Sequence, residues 1–129
     1  MATNAISVRS LTRTYGGGAA AFTAVRDLNL EVVPGTIHAL LGVNGAGKTT
    51  TMEIIEGLAS ATSGEVRVLE QSIGRRPVAE MARDVGLVMQ QPLHMLFAPT
   101  VRAELAAGPQ ILQRHDPDWC AQLSARFGL

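Results

Sequence analysis

Polar and apolar residues alternate in the first third of the chain. Ile6 and Val8 flank Ser7, and Leu28, Leu30 and Val32 alternate with Asp27, Asn29 and Glu31. A period of two with one wet face predicts antiparallel strands. The run Gly16-Gly17-Gly18-Ala19-Ala20-Ala21 predicts a flexible turn, and Pro34-Gly35 a turn that closes the second strand. The pattern then changes. Residues 37–41 (IHALL) and 85–89 (VGLVM) are continuous or nearly continuous apolar runs. They predict strands covered on both faces, as in a parallel sheet. Met52, Ile55 and Ala59 recur at helical spacing, as do Ile54 and Leu58, and Gly57 with residues 60–64 stops that helix. Residues 65–69 alternate again. Residues 75–84 predict a short helix with Val78 and Met81 inward. Beyond Pro92 the pattern is helical. Asp116-Pro117 is an N-cap followed by proline at the first helical position, Trp119, Leu123 and Phe127 form one stripe, and Gly128 ends the helix. Trp119 is placed in the core.

The 129 residues, 47% of them hydrophobic and 17% charged, suit one domain with a buried core. Eleven basic residues cancel eleven acidic ones. No long-range positive field is available to hold nucleic acid or an anionic membrane, so a polyanion would have to be held at a local site. Cys120 is the only cysteine and cannot form an internal disulfide, which fits a reducing compartment. No apolar run approaches the roughly 20 residues of a membrane helix, and the N-terminus lacks a secretory pattern. A soluble, cytoplasmic chain is expected.

The local site is legible. Gly42-Val43-Asn44-Gly45-Ala46-Gly47-Lys48-Thr49 fits G-x-x-x-x-G-K-[ST], follows an apolar run and opens a helix. The glycines let successive N–H groups turn toward one anion. The helix start adds its positive end. Lys48 supplies a charge for the β/γ-phosphates, and the Thr49 hydroxyl a ligand for Mg²⁺. Any side chain at position 47 is expected to block close approach of the phosphates. A concentrated anion trap on a neutral chain points to a nucleoside triphosphate. His38, His94 and His115 lie too far apart in sequence to suggest a metal site.

The stretch 42–50 (GVNGAGKTT) resembles the phosphate loop of the ATP-binding subunits of ABC transporters. Residues 11–16 (LTRTYG) resemble that family's opening strand and adenine-stacking aromatic, and 25–35 (VRDLNLEVVPG) the strand and turn before the loop. Residues 63–66 (SGEV) resemble the segment after the first helix, 85–90 (VGLVMQ) the strand ending in the Q-loop, and 100–105 the start of the helical subdomain. The wording of 42–58 is most similar to bacterial drug- or antibiotic-exporter types. The resemblance implies an α/β P-loop NTPase fold of ABC type, incomplete, with N-terminal antiparallel strands and buried parallel strands around the loop helix. Residues 1–91 would be the N-terminal part of the ATP-binding core and 92–129 the start of the helical subdomain, cut before its signature motif.

The resemblance also implies site residues. Tyr15 would stack on adenine with Val25 beside it, the alternative being a surface aromatic at a strand end. Gly42, Val43, Asn44, Gly45, Ala46, Gly47, Lys48, Thr49 and Thr50 would hold ATP. Thr49 and Gln90 would contact Mg²⁺, and Gln90 also the attacking water, with Gln91 one residue on as the other candidate. Region 91–99 would face a membrane-spanning subunit, or else Leu93, Leu96 and Phe97 pack into the chain's own core. A homodimer of ATP-binding subunits, no nucleic acid, and a place on the inner face of the cell membrane through the partner are implied as well.

The chain departs from the family's pattern. None of Asp27, Asp84, Asp116 and Asp118 follows four apolar residues, no L-S-G-G-Q occurs, and no histidine follows a late strand. A water nucleophile then lacks its base and the metal an outer support. Weak nucleotide binding and negligible hydrolysis by this polypeptide alone are expected, and a piece of a longer ATPase. A non-catalytic nucleotide-binding module is the alternative. A kinase would carry a basic lid and a GTPase an N-K-x-D, and neither is present.

Overall fold

A computed structural model describes residues 3–74 and 76–128. The chain divides into two units, Met1–Gly86 and Leu87–Leu129.

The first unit is built on a four-stranded sheet, in the order β2-β1-β3-β4. The strands are β1 (Ile6–Tyr15), β2 (Phe22–Val32), β3 (Ser63–Val68) and β4 (Gln71–Ser72). Every pairing is antiparallel. The alternation at 6–8 marks only the start of β1, which runs on to Tyr15 and joins β2 through a bend and a 3-10 turn at Gly18–Ala20. Register shifts interrupt the β1–β2 ladder, and Ser10 and Asp27 sit there at positive φ of 48° and 46°. Such bulges free backbone groups, and side chains take them up. Ser10 N–H donates to Asn29 Oδ1 at 2.9 Å, Asn29 Nδ2 to the Asp27 carbonyl at 3.1 Å, and Asp27 N–H to Thr12 Oγ1 at 3.1 Å.

One sheet face carries the core. Val8, Leu11, Val25, Val66 and Val68 are buried against Ile54 and Ile55 of helix α1 (Lys48–Ile55), with Ile73 and Met81. Full burial of such side chains is worth about 1.5–3 kcal/mol each. Met81 belongs to the single turn α2 (Val78–Met81). Arg76 steadies this turn, donating from Nε to Glu80 at 3.0 Å and from Nη2 to Asp84 at 2.7 Å. Residue 75, where the short helix was expected to begin, lies outside the described residues.

Several sequence expectations are corrected. Residues 37–41 form no strand, with Ile37 100% and Leu41 88% exposed. Residues 85–89 form none either, and Val88 is exposed. A buried parallel strand needs a neighbour at its edge. Among the described residues the strands pair only with one another, so the expected parallel strands have nothing to pair with. Val78 faces outward, leaving Met81 alone to seal α2. Met52 and Leu58 are exposed, and of the two expected rows Ile54 and Ile55 are the buried members.

The second unit consists of a 3-10 turn at Pro92–Met95 and helices α3 (Val101–Ile111) and α4 (Pro117–Arg126). Thr100 caps α3 by accepting from Ala103 N–H at 3.2 Å, and Asp116 caps α4 by accepting from Asp118 and Trp119 N–H at 3.0 Å each. Pro109 has no N–H to give the Leu105 carbonyl one turn back. The Cys120 thiol approaches that carbonyl at 3.9 Å. Cys120, and not Trp119, is thus the buried member of α4; Trp119 is half exposed. Of the expected stripe, Trp119 and Phe127 are exposed and Leu123 is half-buried.

Glu56, at the end of α1, is buried. Burial, and then the negative charge of Glu53, hold its carboxyl above the ordinary 4.5. The folded chain therefore keeps a proton there that the unfolded chain loses, and stability falls as pH rises through that window. Glu56→Gln is expected to raise Tm by a few degrees at pH 7. That gain should vanish as the pH drops below about 4.5, as followed by thermal circular dichroism at both pH values.

Candidate functional site

The loop that opens α1 is shaped by two left-handed glycines, Gly45 at φ +84° and Gly47 at φ +79°. Ala46 N–H closes a turn onto the Val43 carbonyl at 3.1 Å. Thr51 is the first residue whose N–H enters the helical ladder, donating to the Gly47 carbonyl at 2.9 Å, and its hydroxyl donates to the same oxygen at 2.9 Å. The N–H groups of Lys48, Thr49 and Thr50 have no acceptor within α1, as the first turn of any helix dictates. They stand at its positive end.

Lys48 is the only lysine in the sequence. Its ammonium donates to the Gly42 carbonyl at 2.7 Å and the Val43 carbonyl at 2.8 Å. The side chain folds back over the loop and clasps its first two residues. An ammonium has three donors, so one remains for a ligand oxygen. The arrangement of one cation, three helix-start amides and a glycine backbone suits a phosphate. A cavity of about 240 Å³ beside it is lined by Ala24, Val25, Leu40, Ala46 and Lys48 among others.

Gly47 is required for a different reason from the one its place in the motif suggests. A Cβ there would run into the Ala24 carbonyl and lie 2.9 Å from Val25 Cγ2. The backbone of β2, not a phosphate, fills the space. This contact fixes the start of α1 to the sheet, and Val25 serves as its buried seat.

Tyr15 ends β1 directly across from Phe22, the first residue of β2. The Arg13 guanidinium lies over its ring, 4.4 Å from the centroid. Neither Arg13 nor Phe22 was legible as part of a site. Arg13 stands two residues before Tyr15 on the same strand, and the signal for Phe22 is the hairpin register, which three register shifts conceal.

The Thr49 side chain is exposed and, among the described residues, its hydroxyl makes no hydrogen bond, unlike that of Thr51. Gln90 and Gln91 are exposed in the second unit, just before the turn at Pro92–Met95. Leu93, Leu96 and Phe97 are exposed as well, so they do not pack into the chain's own core. Glu104 of α3 pins this segment by accepting from Phe97 N–H at 3.1 Å and Ala98 N–H at 2.7 Å. Among the described residues no three His, Cys, Asp or Glu side chains gather as a metal site, and no helix is long and apolar enough to cross a membrane.

Gly47→Ala should cost at least about 2 kcal/mol, combining the left-handed φ with the clash on β2. The check is the urea-unfolding midpoint, and a midpoint equal to that of the unsubstituted chain would contradict the close packing described.

Residues 25–129 match the family model described as ABC transporter. A protein of Methanosarcina mazei assigned as an ABC transporter ATP-binding protein is 43% identical over 103 residues, covering 80% of this chain and 20% of that protein. The energy-coupling factor transporter ATP-binding protein EcfA1 of Methanospirillum hungatei is 35% identical, covering 81% of this chain and 37% of its own length. Among solved structures, cbiO1 from Clostridium perfringens, part of the ABC transporter complex cbiONQ, superposes with a TM-score of 0.76 at 22% identity, over 93% of this chain and 47% of that one. The ATP-binding cassette MJ0796, a dimer bound to ADP and Pi, gives a TM-score of 0.69 at 25% identity, over 85% and 48%. The chain thus spans less than half the length of these relatives. The antiparallel sheet and the loop helix are part of the ABC-type P-loop NTPase fold, and the chain belongs to the ABC transporter ATP-binding family.

Proposed function

We propose that this chain holds the phosphate tail of ATP on residues 42–50 and acts as the ATP-binding portion of an ABC transporter ATPase. The observation that carries this reading is the Lys48 ammonium, clasped over Gly42 and Val43 beside the open amides of Lys48, Thr49 and Thr50. Family membership supports ATP as the nucleotide and sets aside the kinase and GTPase readings. Tyr15 would take the adenine ring. The non-catalytic module differs only in whether turnover follows binding.

Thr49 is the residue of the loop suited to Mg²⁺, its free hydroxyl being the kind of neutral oxygen that cation accepts beside phosphates. Gln90 is proposed as the second contact. When bound, Mg²⁺ would neutralise charge on the phosphates. The chain's own residues orient the triphosphate: the loop amides fix its oxygens and Lys48 adds a charge. No aspartate of this sequence follows an apolar strand to hold the metal's far side or to lead to a base. The chain alone is therefore proposed to bind ATP with negligible hydrolysis.

Residues 91–99 are proposed to meet a membrane-spanning subunit, supported by the exposure of Leu93, Leu96 and Phe97 and by the Glu104 bonds that hold the segment in one shape. Through that partner the chain would sit at the inner face of the cell membrane. A homodimer of ATP-binding subunits is proposed by likeness to the dimeric cassette MJ0796. The wording of 42–58 supports export of a small molecule. The energy-coupling factor relative favours a second reading, an energy-coupling factor transporter.

Lys48→Ala is expected to weaken binding of a fluorescent ATP analogue about 10- to 100-fold, the worth of a charge-assisted hydrogen bond. Equal retention by both forms would remove Lys48 from the site.

A further inference from the structure

The end of the β1–β2 hairpin places two aromatic rings side by side. Tyr15 and Phe22 are opposed in the antiparallel ladder, so their side chains rise from the same sheet face with Cβ atoms about 5 Å apart. Both stay open, Tyr15 at 38% and Phe22 at 60% exposed. Val8, Leu11 and Val25 of the same two strands are buried, and Ile6, Leu28 and Leu30 are partly buried against them. Arg13 covers one face of the Tyr15 ring at 4.4 Å. The tyrosine therefore has a single face to offer, and the guanidinium holds the ring in place against it. Two residues beyond Phe22 on β2, Ala24 presents its carbonyl to Gly47 at the start of α1. Phe22 and the seat of the phosphate loop thus stand two residues apart on β2, the loop held there by a contact too close for any side chain.

We propose that Phe22 is a specificity residue: with Tyr15, backed by Arg13, it forms a two-ring seat that favours purine over pyrimidine nucleotides. The inference rests on the phosphate-binding reading above. Flat aromatic contact is offered by two neighbouring rings, and a fused purine is long enough to touch both. A single pyrimidine ring on Tyr15 leaves Phe22 untouched. Hydrogen-bonding side chains are not needed for this discrimination. Thr14 and Thr23 hydrogen-bond to each other at 3.0 Å.

The test compares ATP, CTP and inorganic tripolyphosphate as titrants of the whole chain, by calorimetry. The unsubstituted chain is expected to bind ATP more tightly than CTP, and CTP more tightly than tripolyphosphate. Phe22→Ala should weaken ATP about 3- to 10-fold and leave CTP and tripolyphosphate unchanged. Phe22→Tyr should keep the ATP preference. Because Phe22 is largely exposed, its loss does not threaten the fold, and tripolyphosphate binding reports an intact loop. An ATP-to-CTP ratio that Phe22→Ala does not change overturns the inference while leaving the phosphate site standing. Absence of tripolyphosphate and ATP binding by the unsubstituted chain would overturn both.

Discussion

The seat of Gly47 on the backbone of β2 is the constraint from which the site follows. A loop of glycines has no shape of its own, since glycine loses more backbone freedom on ordering than any other residue. Here the loop's last glycine is pressed on the Ala24 carbonyl and Val25, and Ile54 and Ile55, seven and eight residues on, are buried in the same core. The first turn of α1 is thereby held at both ends. Its open amides are aimed by tertiary packing and not by the loop sequence, whose motif is silent about β2.

Charge tells the same story from another side. The chain is neutral in sum, and several of its arginines are turned inward on their own structure. Arg76 is spent on Glu80 and Asp84, Arg67 on Glu65 and the Glu70 carbonyl, and Arg13 on the Tyr15 ring. Arg67 reaches Glu70 because Leu69 and Glu70 turn the β3–β4 hairpin at positive φ, 47° and 65°, a conformation that costs non-glycine residues. Lys48, by contrast, is bonded to the Gly42 and Val43 carbonyls and, among the described residues, to no carboxylate.

The parts of the fold that could be read from the sequence are those decided locally. The alternation of Leu28, Leu30 and Val32, the turn at Pro34-Gly35, the helix start at Lys48 and the Asp116 cap each depend on a few neighbouring residues, and each occurs in the structure. The runs at 37–41 and 85–89 have the composition of buried strands, but a strand is made by its partner. Composition cannot state whether one is there. Trp119 failed for a related reason: a stripe at steps of four names a face of α4, while the structure buries Cys120, whose thiol lies 3.9 Å from the Leu105 carbonyl of α3. At the site, the motif located the loop and its lysine. It was silent about Phe22, because three register shifts precede the pairing that sets it opposite Tyr15.

The clasp of Lys48 on Gly42 and Val43 has a chemical corollary. With no second lysine in the sequence, acylation, carbamylation or cross-linking of a side-chain amine in this chain can fall nowhere but on the phosphate loop. Such a reaction would remove in one event both the counter-charge for a ligand and the latch that closes the loop on itself.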